Sequence, residues 1–153
     1  MFDTFAAALH CPRCGNVSPA TSVSSIQTHL RGDADGAELA VGYSFDPVDL
    51  ETQNILGAGY ALVAPPAASG TMRLLDMWIC PACQSEQWAV VEIVEGRIER
   101  IEAVPMNHAT LEAVNFISDV NADLLAEALT GVSQAELTQS NLSSVELLRR
   151  RLE

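Results

Sequence analysis

The clearest pattern of apolar and polar positions runs from Gln87 to Val104, where two strand-like segments, Gln87–Val94 and Ile98–Val104, flank Gly96 and predict a β-hairpin. Two registers compete. A two-residue turn at Glu95-Gly96 would place Glu92 opposite Glu99. A three-residue loop through Arg97 places Glu92 opposite Arg100 and Val91 opposite Ile101, and the pairing of opposite charges favours it. Upstream, segments bounded by Gly, Pro and Asp clusters predict strands over Val23–Leu30, Ala37–Phe45, Gly59–Ala64 and Thr71–Ile79, with no helical periodicity among them. After Val104-Pro105 the period changes. Leu111, Val114, Ile117, Val120, Leu124 and Ala128 recur at three and four residues and predict a helix ended by Gly131. Two capping boxes, Ser133-Gln134-Ala135-Glu136 and Ser143-Ser144-Val145-Glu146, predict two further short helices, the last ending in Arg149, Arg150 and Arg151. The expected fold class is therefore α+β: an antiparallel β domain over residues 1–105 and a helical appendage over 106–153.

About half of the 153 residues are apolar, enough for one domain to bury a core. The segment Thr52–Met72 carries no charge and is long enough to cross a bilayer. Gln53, Asn54, three glycines and Pro65-Pro66 argue against a lipid-facing helix there, and the segment reads as a buried strand followed by a loop. The first nine residues lack the basic start and apolar core of a secretory signal, so a cytoplasmic location is expected.

Charge narrows the partners. Twenty acidic residues face eight basic ones, a formal net charge of −12, and over Met1–Pro105 the count is thirteen against five. Nucleic-acid binding relies on Lys and Arg neutralising phosphates, and the only dense basic cluster is Arg149–Arg151. Nucleic acid is not an expected partner.

All four cysteines fall in two equal spacings, Cys11-Pro12-Arg13-Cys14-Gly15 and Cys80-Pro81-Ala82-Cys83-Gln84. Two intervening residues let the backbone turn so that both sulfurs face one side, and two such pairs supply the four ligands of a closed tetrahedral zinc site. Pro12 stiffens the first turn, and Gly15 is free to take a positive φ after it. Here the chain resembles the zinc-ribbon and rubredoxin-knuckle proteins, whose knuckles commonly read CPxCG; the second knuckle departs in having Gln84 for the glycine. The resemblance covers some fifteen residues, and it implies a metal without naming a partner. Redox thiols, two disulfides, or another metal such as iron are the competing readings, and His10 beside Cys11 is a competing ligand. A catalytic zinc fits less well, because four cysteines leave no position for water. Between Cys14 and Cys80 lie 65 residues, where a minimal ribbon has about 15–20, so a folded insertion separates the knuckles.

Other constellations carry no chemistry. Gly57-Ala58-Gly59 lacks the third glycine and following helix of a dinucleotide site. Asp33-Ala34-Asp35-Gly36 starts like a calcium loop without its later ligands, and it reads as a turn. His10, His29 and His108 are scattered, and Glu92, Glu95, Glu99 and Glu102 read as a solvated face. No catalytic residue is expected.

The function that follows is an acidic, cytoplasmic protein holding one structural zinc on Cys11, Cys14, Cys80 and Cys83. It would act as a protein-binding module (adaptor, inhibitor or immunity-type factor) on a partner with a basic surface. A homodimer through the helical tail is a further expectation. Two alternatives stand: a zinc ribbon associated with nucleic acid or the transcription and translation machinery, and an enzyme whose site assembles from distant residues.

Overall fold

The computed structural model describes residues 3–17, 23–31, 36–66, 70–105 and 108–118. These residues are mostly β and form two sheets. The first contains β1 (Asp3–Ala6), β2 (Val23–Thr28) and β3 (Glu38–Leu39) in the order β2-β1-β3, with β1 antiparallel to β2 and parallel to β3. The second contains β4 (Tyr60–Leu62), β5 (Thr71–Ile79), β6 (Glu86–Val94), β7 (Arg97–Val104) and β8 (Phe116–Ser118) in the order β4-β8-β5-β6-β7. Among the described residues, helix is limited to a 3-10 turn at Pro47–Leu50 and two short helices, α1 (Thr52–Gly57) and α2 (His108–Glu112).

This corrects the α+β expectation. No long helical appendage occurs among the described residues: α2 lasts five residues, and the chain then turns into β8. That strand runs antiparallel to β4 and parallel to β5, so it closes a gap in the sheet. Leu111, Val114 and Ile117 are buried, but so is Phe116; successive strand residues point to opposite faces, so both faces of this strand are covered. A short helix and a buried strand in succession imitate the three- and four-residue period of one long helix. Ile117 and its neighbours are therefore packed within the chain's own sheet. Val120, Leu124, Ala128, Gly131 and both capping boxes lie outside the described residues, as do Asp33 and Asp35.

Asn115 fixes the junction between α2 and β8. Its side-chain carbonyl accepts the Arg73 N–H at 2.9 Å, and its amide donates to the carbonyls of Ala64 and Pro65, each at 3.2 Å. Its own backbone N–H donates to Arg73 O and its carbonyl accepts Val63 N–H. Asn115→Ala leaves the Arg73 amide of β5 without its partner, and the expected cost is about 1–3 kcal/mol in urea unfolding. An unchanged midpoint would show that water replaces the side chain freely.

The hairpin register is the expected one by a different route. Glu92 faces Arg100 and Val91 faces Ile101, yet Val94 pairs with Arg97, so the turn is the two-residue Glu95-Gly96. Both turn residues have positive φ, 50° and 83°, as a type I′ turn requires. A bulge on β7 at Glu99 then shifts the register by one residue. Arg100 consequently reaches Glu92, which also accepts Arg73 from β5 at 2.8 Å.

Among the described residues, backbone and buried polar contacts link the two sheets beside their shared apolar core. Residues 37–45 do not form one strand: Glu38–Leu39 pair with β1, Gly42 bends the chain at φ 99°, and residues 42–45 then bond to the start of β7. A buried relay of polar groups forms the second link. The Leu30 N–H donates to the Thr28 hydroxyl, which lies 3.0 Å from the Tyr60 hydroxyl, and Tyr60 donates to Asp76 at 2.9 Å. Thr28 belongs to β2, Tyr60 to β4 and Asp76 to β5, so the relay crosses between the sheets.

Candidate metal centre

Each cysteine pair sits on a backbone turn of the same construction. In the first, Gly15 N–H donates to Cys11 O at 2.9 Å and Cys11 N–H donates to Asn16 O at 2.9 Å. In the second, Gln84 N–H donates to Cys80 O at 2.8 Å and Cys80 N–H to Ser85 O at 3.0 Å. The first turn is closed by a bridge between His10 and Val17, the second by the last rung of the β5–β6 ladder, Ile79 with Glu86. The fifth residue of each turn has positive φ, 78° at Gly15 and 61° at Gln84. Glutamine therefore occupies the glycine position without changing the turn. A side chain in the left-handed region costs about 1 kcal/mol, so Gln84→Gly is expected to raise the stability of the protein by up to that amount, and Gly15→Ala to lower it similarly. Denaturant titration of the two variants measures both; a loss of stability in Gln84→Gly would mean that the Gln84 amide bond to Pro81 O outweighs the strain.

The two turns converge. One Sγ atom from each of Cys11, Cys14, Cys80 and Cys83 lies within 4.8 Å of all the others, and the group could hold a metal ion. Cys11 and Cys83 are 3.7 Å apart, Cys14 and Cys80 3.6 Å apart. Four sulfurs placed about 2.3 Å from a central zinc would be separated by about 3.8 Å, so these cross-pairs already have the edge length of a thiolate tetrahedron. They are far from the ~2.05 Å of a disulfide, and all four thiols are free. Cys11 and Cys80, the first members of their pairs, are buried; Cys83 is half-buried and Cys14 exposed. The site is anchored in both layers, since the first turn lies on the connection from β1 to β2 and the second joins β5 to β6.

Electrostatics at the sulfurs favour a bound cation. At Cys11, burial works against the thiolate, but amide hydrogen bonds from Cys14 and Arg13 and a contribution from Ser85 outweigh it and bring the pKa down to about 6. Cys83 is lowered chiefly by the Ser85 hydroxyl, then by the Ser85 amide. Cys14 goes the other way. The Asn16 amide favours its thiolate, yet burial and the sulfurs of Cys80, Cys83 and Cys11 push its pKa up to about 12. Without a cation, sulfurs this close do not all ionise together; a divalent metal removes the mutual repulsion.

Ser85 is the neighbour of the sulfurs that the spacing of the cysteines does not reveal. It is buried, and its hydroxyl lies 2.9 Å from Cys83 Sγ and 3.8 Å from Cys11 Sγ. Gln87 Nε2 donates to the same oxygen at 2.9 Å. The available sequence signal was its place directly after the second turn, where its N–H and hydroxyl both face the sulfurs.

Among the described residues, no histidine or carboxylate joins this cluster. His10 instead borders an open depression of about 210 Å³ with Pro12, Ala103, Val104 and Pro105. His108 begins α2 and His29 follows β2. Glu92 bonds to Arg73 and Arg100, Glu102 to Arg100, and Glu95 occupies the hairpin turn. No helix among the described residues is long and apolar enough to cross a membrane. The segment Thr52–Met72 contributes α1, β4 and the start of β5. Comparison with models of protein families, with curated proteins and with solved structures gave no match.

Proposed function

We propose that the four cysteines hold a single zinc ion, that the metal is structural, and that the protein works as a binding module for another protein. The observation that carries the metal reading is the convergence of two equivalent turns onto four sulfurs within 4.8 Å. Zinc suits four thiolates in a tetrahedron, and such a set leaves no position for a reacting water, which favours a scaffold over an enzyme. Four free thiols fit a reducing compartment, which supports a cytoplasmic location as part of this reading. The binding role rests on charge. A net charge of −12 repels polyanions and speeds encounter with a positively charged protein surface.

The test has two parts. Protein purified without chelator is expected to contain one equivalent of zinc per chain by elemental analysis; iron or no metal in its place overturns the zinc assignment. Fluorescence anisotropy with labelled DNA and RNA at micromolar protein and ~150 mM salt is expected to show no binding. A positive signal there would replace the protein-partner reading with a nucleic-acid one. Once a partner is isolated, its association rate should fall steeply between ~20 and ~300 mM salt as the Debye length contracts, while dissociation changes little.

A further inference from the structure

We propose that Ser85 is a positioning residue of the metal centre, whose hydroxyl donates to the Cys83 thiolate and is held there by the Gln87 amide. The inference rests on the metal-binding reading above and adds a specific role that the four ligands do not contain. The direction of each hydrogen bond follows from the groups involved. The Nε2 atom of Gln87 only donates, so at 2.9 Å the Ser85 oxygen accepts from it. The hydroxyl proton is then directed away from Gln87. Cys83 Sγ at 2.9 Å is its nearer sulfur and Cys11 Sγ, at 3.8 Å, the more distant. A hydroxyl this close to sulfur is suited to a charged acceptor, since hydrogen bonds to ionised groups are shorter and stronger. Gln87 stands two residues beyond Ser85 on β6, and its partner Trp78 on β5 fixes its place in the ladder. A rigid strand thus aims an amide at the hydroxyl, and the hydroxyl at the sulfur.

This arrangement makes the two turns unequal despite their matching backbones. The second ligand of each turn faces the amide two residues on: Asn16 N–H at Cys14 and Ser85 N–H at Cys83. Only at Cys83 does a side-chain hydroxyl add a further donor at this position, because residue 16 is Asn and residue 85 is Ser. Drawing electron density from the Cys83 sulfur lowers the energy of its lone pairs and spreads the negative charge that four thiolates bring to a divalent ion. The hydroxyl also fixes the Cys83 rotamer toward the other three sulfurs before the metal arrives. Outer partners of this kind typically alter metal affinity about 10- to 100-fold when removed.

Cobalt is the probe, since Co2+ occupies tetrahedral thiolate sites and gives sulfur-to-metal charge-transfer bands. The full chain is titrated with Co2+ alone, and its affinity is then read by competition with a chromogenic chelator. Ser85→Ala is expected to bind cobalt about 10- to 100-fold more weakly and to shift the charge-transfer band to longer wavelength, because an unbonded thiolate is easier to oxidise. Ser85→Thr, which keeps the hydroxyl, should restore the band position. Gln87→Met, which leaves Ser85 in place, should give an intermediate shift. A purely packing role for Ser85 would lower thermal stability while leaving the band unmoved, and that result overturns the inference. If wild-type protein takes up no cobalt or zinc, the metal reading itself falls; if it does and Ser85→Ala is spectroscopically identical, the role of Ser85 alone falls.

Discussion

Replacing Cys80 with Ser is expected to abolish tight metal binding and to separate the two sheets at the metal site. Structural zinc sites contribute about 10–16 kcal/mol of apparent binding free energy at neutral pH, so each of four ligands accounts for roughly 2.5–4 kcal/mol, a factor of about 60 to 700 in affinity. Cys80 is buried and its N–H and carbonyl both close the second turn, so water is poorly placed to fill the vacated position. Cys14 is exposed. Cys14→Ser is therefore expected to lose less affinity than Cys80→Ser, and Cys11→Ser, at the other buried ligand, to resemble Cys80→Ser. A metal on these sulfurs would close a loop of 65 intervening residues, so its loss would also release a constraint on the unfolded chain. Elemental analysis and thermal melts of the three variants, with and without chelator, measure the ranking. Equal melting temperatures for wild type and Cys80→Ser would show that the sheets hold together without the cluster and that the site is not structural.

The second large effect is expected at Asp76. Complete burial raises its pKa, opposed by the hydrogen bond from Tyr60, and the result is a carboxyl group with a pKa of about 7 against an ordinary 3.8. Between about pH 4 and pH 7 the folded protein keeps a proton that the unfolded chain has lost, so stability falls as pH rises through this window and is level above it. The shift of roughly three units corresponds to about 4 kcal/mol at most. Asn has the same shape and can accept from Tyr60 without a charge. Asp76→Asn is expected to be close to wild type at pH 4, and to exceed it by a few kcal/mol at pH 8. Thiolate protonation also weakens metal binding toward low pH, but it acts equally on both proteins and cancels in their difference. Urea unfolding across pH 4–8 tests this; a difference between the proteins that does not change with pH would mean that Asp76 titrates normally. Asp3 behaves oppositely. The Arg31 guanidinium holds its pKa down, so its contribution is present at neutral pH and lost toward acid.

Among the described residues, part of the acidic composition is neutralised locally or buried. Glu92 is shared by Arg73 and Arg100, and Arg100 also reaches Glu102, so the most regular acidic run is partly neutralised across three strands. Asp76 is sealed from solvent by the same layers that place it beside Tyr60. Such a group stores pH sensitivity in the core.

The sequence alone determined the features that depend on neighbours in the chain. Each cysteine turn is set by five residues, and the left-handed φ foreseen for Gly15 is present. Strand Thr71–Ile79 and the pairing of Glu92 with Arg100 follow from local alternation and charge. The grouping of the four cysteines was legible because equal spacing is a local property. Tertiary structure decided the rest. Strand β1 has four residues and no local signal, yet it is central to its sheet because β2 and β3 pair on either side of it. The helix α1 arose where a strand was expected, its Ile55 buried by contacts from elsewhere in the chain. The segment after residue 105 is the clearest case. Its apolar spacing satisfies a helix, but Phe116–Ser118 gain backbone partners on β4 and β5, some 40 to 60 residues earlier, and hydrogen bonds on both sides of a buried strand outweigh intrinsic helical preference. Ser85 is a mixed case: its 2.9 Å contacts to Cys83 and Gln87 are local, and only its 3.8 Å approach to Cys11 depends on the distant turn.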